Sequence, residues 1–264
     1  MIANDACVVA SGPRLRLRLG ARIPRADVPC SRSVTVVTPP TFPSITPLLL
    51  SEFRFPDPEL AERVGVVVGY AVRHQGGILL FDTGFGFGNA ELDATYQPVG
   101  RPIDEVLAEA GIPIGDITEV VNCHLHADHA GQNAAFPRIP IYVQPVEWEL
   151  AHTTDHTILE WIDFPDARYE QVAGDHEIVP GIRVLATPGH TPGHQSLVVD
   201  GPDGPIILAG QACYTVGEWI GDGTPLEGRS GAPDQAAYDR SIERLRALDP
   251  AQVLFGHDRE RWTA

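Results

Sequence analysis

Lysine is missing altogether: all 19 basic residues of the 264-residue chain are arginine. That excludes Schiff-base chemistry, a lysine general base and a phosphate-binding P-loop. Cysteine is scarce. Cys7, Cys30, Cys123 and Cys213 lie far apart and form no CxxC pair, so neither a disulfide framework nor a thiolate zinc module is expected. Reduced thiols and a cytoplasmic protein fit that usage. Long apolar runs are lacking too, and nothing approaches the roughly 20 residues of a membrane span. The first 20 residues contain no basic stretch followed by a long apolar one, so no secretory leader is expected. Positive charge is in short supply, with a formal net charge of -16. An excess of that sign repels nucleic acid and anionic lipid and excludes both as partners.

What is present reads as an ordinary globular chain, long enough to bury a large core. Leu15, Leu17 and Leu19 alternate with Arg14, Arg16 and Arg18, a period-two strand pattern. Val34–Val37 is a second short strand candidate. Pro39–Pro58, rich in proline and aromatics, reads as an irregular apolar loop. Val64–Arg73 and Gly77–Phe81 are β-branched or apolar runs joined by His-Gln-Gly-Gly, a hairpin signal. Helical spacing marks 103–110, 146–152 and, most clearly, 233–248. Strands are expected at 117–122, 139–143, 182–186, 196–199, 205–208 and 251–255. Short strands alternating with helices, hairpins among them, predict an α/β layered fold with mixed sheets. No linker interrupts the chain, so 1–264 is expected to be one domain, with 1–60 supplying N-terminal strands and the apolar loop. Each polar cluster falls immediately after a strand, so the clusters can meet at one edge of the sheets.

The densest cluster is Asn122-Cys123-His124-Leu125-His126-Ala127-Asp128-His129. In extended chain, residues two apart share a face, so His124 and His126 can point at one ion. A turn then aims Asp128 and His129 at a second ion, about 3.5–4 Å away in two-metal sites. Imidazole nitrogens with a carboxylate suit Zn²⁺, and also Mn²⁺, Fe²⁺ or Co²⁺.

These residues form the HxHxDH signature, and with Thr187-Pro188-Gly189-His190 and Phe255-Gly256-His257-Asp258 the chain resembles the metallo-β-lactamase superfamily. The resemblance implies an αββα sandwich of two mixed sheets flanked by helices. It implies one ion on His124, His126 and His190 and another on Asp128, His129 and His257. His194 is not a ligand in this pattern. Asp82 matches a carboxylate that orients a ligand histidine. Within the superfamily the chain is similar to the N-acyl-homoserine lactonases, at His124–Gly131, Gly174–Gly181, Thr187–Ser196 and Ala212–Thr215. That implies a hydrolase opening a lactone or small carboxylic ester, with an N-acyl-homoserine lactone as the expected small-molecule partner; a homodimer is left open. The ion would lower the pKa of a bound water to about 7 and polarise the carbonyl. Asp128 would hold the nucleophile and take its proton, and Tyr214 would stabilise the carbonyl or leaving oxygen. Phe42–Phe55, with Phe85 and Phe87, would line an acyl pocket. Ala127 stands where the lactonases often carry a bulky aromatic.

The chain departs from this pattern at Gln211, which occupies the position of a carboxylate bridging the two ions. Two divalent ions about 3.5 Å apart repel by on the order of 20 kcal/mol at an effective dielectric of about 20, so one lost anion weakens the second site. One ion or two are both compatible with the pattern, and Glu218 or Asp222 could compensate. The alternative function is a non-hydrolytic or altered-chemistry metal-binding member of the fold.

Overall fold

The computed structural model describes residues 42–57, 60, 62–222 and 233–264, all within the unit Pro39–Ala264. The strand candidates at 15–19 and 34–37 lie outside the described residues.

The first sheet holds β1 (Ser44–Arg54), β2 (Val64–Arg73), β3 (Ile78–Phe81), β4 (Val99–Gly100), β5 (Ile117–Val121), β6 (Pro140–Val143) and β7 (Arg168–Gln171). Their order is β4-β1-β2-β3-β5-β6-β7. It is antiparallel through β1, β2 and β3 and parallel from β3 through β7. The second sheet holds β8 (His176–Val179), β9 (Ile182–Ala186), β10 (Gln195–Gly201), β11 (Gly204–Leu208), β12 (Gln252–Leu254) and β13 (Arg261–Thr263). It runs β13-β12-β11-β10-β9-β8, with β11 and β12 parallel. The helices are α1 (Ala90–Tyr96), α2 (Ile103–Glu109), α3 (Ala127–Ala130), α4 (Pro145–Thr153), α5 (Leu159–Ile162), α6 (Val216–Ile220) and α7 (Gln235–Arg246).

Three buried layers make this an αββα sandwich, the architecture the sequence implies. Val68, Tyr70, Leu79 and Val121 of the first sheet meet Ile182, Val184, Leu197 and Leu208 of the second. Leu92, Val106 and Leu107 of α1 and α2 cover the outer face of the first sheet, against Leu48, Leu80 and Val120. Trp219, Tyr238, Ile242 and Leu245 of α6 and α7 cover the second, against Val198, Ile207 and Val253. The amphipathic stretch expected at 233–248 is α7. Asp234 caps it by accepting from Ala237 N, and Arg244 and Arg246 stand in its last turn, where the helix dipole favours cations.

The segment expected as an irregular loop is largely a strand. Ser44–Arg54 pairs antiparallel with β2 along its whole length, through a register shift between Leu49 and Ser51. Its one proline does not prevent this, because β4 pairs β1 only at Ser51 and Glu52. Pro47 therefore sits where one side of the strand has no ladder to break.

Candidate metal centre

β3 and β5 run parallel, as do β11 and β12, so the loops leaving these strands emerge at one edge of the sandwich. Asp82 follows β3, the His124–His129 segment follows β5, Gln211 follows β11 and His257 follows β12. His190 follows β9. The sequence clusters thus converge, as expected.

His124 Nε2 lies 2.8 Å from His126 Nδ1, and His190 Nε2 lies 3.1 Å from the same atom. Nitrogens this close fit three corners of a tetrahedral zinc shell, whose neighbouring donors stand about 3.3 Å apart. Asp128 Oδ2 lies 3.2 Å from His129 Nε2 and 3.7 Å from His257 Nε2. His129 Nε2, His257 Nε2 and Gln211 Oε1 are all buried and complete no hydrogen bond. Unmatched buried lone pairs cost about 1–3 kcal/mol each. Three such atoms, with the Asp128 carboxylate close to both imidazoles, suit a cation. The donor set therefore fits one ion at His124, His126 and His190, and a second donor group at Asp128, His129 and His257.

The far edges of the rings fix which nitrogen is presented. Asp82 Oδ2 lies 2.9 Å from His129 Nδ1, and Val66 O lies 2.7 Å from His257 Nδ1. Each Nδ1 faces an acceptor behind the ring, which turns Nε2 forward. Asp82 also accepts from Cys123 N at 2.8 Å. It does so from a left-handed backbone with φ 64°, a conformation that aspartate tolerates better than most residues. Asp82 thus stands behind a candidate ligand, as the resemblance implies.

Burial, reinforced by neighbouring imidazoles, holds His124, His126 and His194 well below the usual histidine range, so they are neutral. Burial lowers His257 to about 4. Burial opposes charge on Asp128 and His129 as well, but each supports the other. The aspartate is held below the carboxylate range and the imidazole well above its own. His194 turns away from the centre. Its Nδ1 meets Thr187, and its Nε2 accepts from Gln211 N at 2.9 Å. It anchors the loop bearing Gln211.

A cavity of about 440 Å³ opens onto these groups. One wall is apolar, with Phe53, Phe55, Leu60, Phe85 and Leu92; Asp155 and His156 lie on its polar side. Phe53, Phe55 and Phe85 therefore line a pocket as expected, but Phe42 and Phe87 do not. They are 42% and 53% exposed, and Phe42 borders a separate cleft beside His74. Tyr214 lies between two candidate ligands. Its hydroxyl is 3.3 Å from His190 Nδ1, and its ring stacks on His257 at 5.1 Å. Burial, then Asp128, raise its pKa far above neutrality, so it stays protonated. Glu218 does not supply a substitute anion. Its oxygens accept from Tyr214 N at 2.6 Å and Tyr238 OH at 2.9 Å, and neither it nor Asp222 lines the cavity.

Residues 63–257 match the family model of the metallo-beta-lactamase superfamily. The chain belongs to this superfamily. An N-acyl homoserine lactonase of a Bacillus species is 38% identical over 163 residues, 60% of this chain and 63% of that protein. The match thus spans less than two thirds of that relative. The N-acyl homoserine lactonase AttM of Azorhizobium caulinodans is 35% identical over 185 residues, 63% of this chain and 69% of that protein. Among solved structures, an N-acyl homoserine lactone hydrolase with N-hexanoyl-L-homoserine bound at its catalytic metal centre superposes with a TM-score of 0.67. It is 28% identical over 83% of this chain and 93% of its own.

Sequence reasoning missed Glu147 and His156. Glu147 is fully buried in α4 and tied to both histidine loops, yet in Val-Glu-Trp-Glu it is indistinguishable from a surface helix acid. Nor did a pattern single out Thr83 and Asn133: Thr83 and Asn122 donate to the carbonyl of His129, and Asn133 donates to Asn122 Oδ1 behind them.

Proposed function

We propose that this chain is a metal-dependent hydrolase that opens the ring of an N-acyl-homoserine lactone. The observation that carries the reading is an apolar-walled cavity whose floor is the histidine–aspartate centre. The relatives are lactonases, and the donor set suits zinc. His124, His126 and His190 would hold the first ion; Asp128, His129 and His257 would hold a second. When bound, the metal supplies Lewis acidity and makes a coordinated water acidic enough to be a nucleophile near neutral pH.

The chain's own groups do the rest. Asp128 orients the attacking water and takes its proton. Tyr214, protonated and beside His190, donates to the carbonyl or leaving oxygen as negative charge develops there. Cleavage of the ring C–O bond returns the proton to the departing alkoxide and leaves an N-acyl-homoserine. The aromatic wall takes the acyl chain. Asp82 keeps His129 in the presenting tautomer. Gln211, neutral and with an unmatched carbonyl oxygen, adds no anion, which favours a tight first ion and a weaker second. No other family of substrates is favoured by a specific observation.

The test is metal analysis of protein purified without added metal, beside turnover of N-acyl-homoserine lactones of several chain lengths. Ring opening that requires metal supports the reading. A metal-loaded protein inert to every lactone overturns it.

A further inference from the structure

Glu147 is buried on α4 and accepts three hydrogen bonds. Oε1 takes Leu125 N at 2.9 Å and His156 Nε2 at 2.6 Å; Oε2 takes Thr191 Oγ1 at 2.7 Å. Leu125 lies between His124 and His126, and Thr191 follows His190. One carboxylate therefore braces both histidine loops and also grips His156. The approach is close: a Cβ on Gly193 would meet the Glu147 backbone nitrogen at 2.5 Å. The second Thr-Pro-Gly-His thus exists partly to let α4 in.

His156 is aimed rather than merely buried. Its Nε2 is committed to Glu147, so that nitrogen carries the proton and Nδ1 keeps a lone pair. The ring stands 4.3 Å from that of His126, tilted by 43°, and lines the cavity beside Asp155. Phe53, Phe55, Phe85 and Leu92 line the same cavity. Asp155 and the second ring nitrogen of His156 are hydrogen-bond acceptors within the cavity lining, and acceptors in a lining select a donor. In an N-acyl-homoserine lactone the amide nitrogen is bonded to the carbon next to the lactone carbonyl. A carbonyl seated at the histidine centre holds that N–H within the cavity that His156 also lines.

We propose that His156, oriented by Glu147, is a specificity residue that accepts a hydrogen bond from the substrate amide N–H, so that the site prefers acylamino lactones to lactones lacking that donor. The inference rests on the lactonase reading and deepens it.

The test pairs a change in the protein with a change in the substrate. N-hexanoyl-homoserine lactone is compared with its N-methyl analogue on metal-loaded wild type, H156F and H156Q. In wild type the N–H substrate is favoured by about tenfold in kcat/KM, with the difference in KM, because a buried partner is left unsatisfied by the analogue. In H156F the preference falls to near one. H156Q, which keeps a donor for Glu147 and an acceptor for the cavity, restores most of it. Calorimetric binding of ring-opened N-hexanoyl-homoserine follows the same order, giving a readout apart from turnover. An unchanged preference in H156F, with both lactones opened, overturns this inference alone, as does equal loss on both substrates. Wild type inert to both lactones overturns the lactonase reading and this inference with it. If H156F does not fold, a wild-type preference of one, or an H156Q preference far below wild type, overturns the proposal.

Discussion

At the scale of single residues, the centre is a set of lone pairs held in place from behind. Asp82 and Val66 O fix two imidazoles, and the packing of His126 against His190 and His124 fixes three more. His190→Ala removes one of three converging nitrogens. We expect it to lose zinc content and lactone opening together. Its melting temperature should rise less on zinc addition than that of the wild type, since a ligand stabilises only the state that binds it and only the Asp128, His129 and His257 group remains complete. Metal analysis and a thermal melt with and without zinc check this; full metal content in the variant would sink the assignment. Gln211→Asp should act in the opposite direction. It places an anion where a buried amide oxygen has no partner, so metal bound per chain should rise, read by elemental analysis on matched preparations. If wild type already holds two tightly bound ions, the charge argument fails. The convergence of candidate donors was legible because HxHxDH places four of them within six residues. Glu147 and His156 were not, because their meaning depends on a nine-residue loop-back that only the fold supplies.

At the scale of elements, strand edges were legible where β-branched runs are uninterrupted. β2 and β9 span Val64–Arg73 and Ile182–Ala186, the ranges read from sequence. β1 was not, because proline argues against a strand unless one side of it is unpaired, which is a tertiary fact. That strand matters to the site, since it delivers Phe53 to the cavity. The Phe53 ring lies 5.0 Å from Phe55, 5.8 Å from Phe85 and 5.9 Å from His257. Phe53→Ala should cost about 3–5 kcal/mol of stability, from lost burial and the cavity left behind. It should also raise KM more for decanoyl than for butanoyl substrates. Denaturant melts and a chain-length series test both halves of the statement, and an equal change across chain lengths would remove Phe53 from the acyl wall.

At the scale of the whole molecule, the net charge of -16 bears on what the protein meets rather than on how it folds. DNA and RNA should be neither bound nor cleaved at low ionic strength, where attraction to polyanions is greatest. Efficient phosphodiester cleavage in a gel assay would reverse that expectation. The two sheets also divide the chain in sequence: β1–β7 end at Gln171 and β8–β13 begin at His176. The first half carries His124, His126, Asp128 and His129; the second carries His190 and His257. Neither half holds a complete donor triad of the kind formed by His124, His126 and His190. On the proposed assignment each ion would be a rivet through a finished joint, its third donor, His190 or His257, arriving from the second half only when the two halves dock.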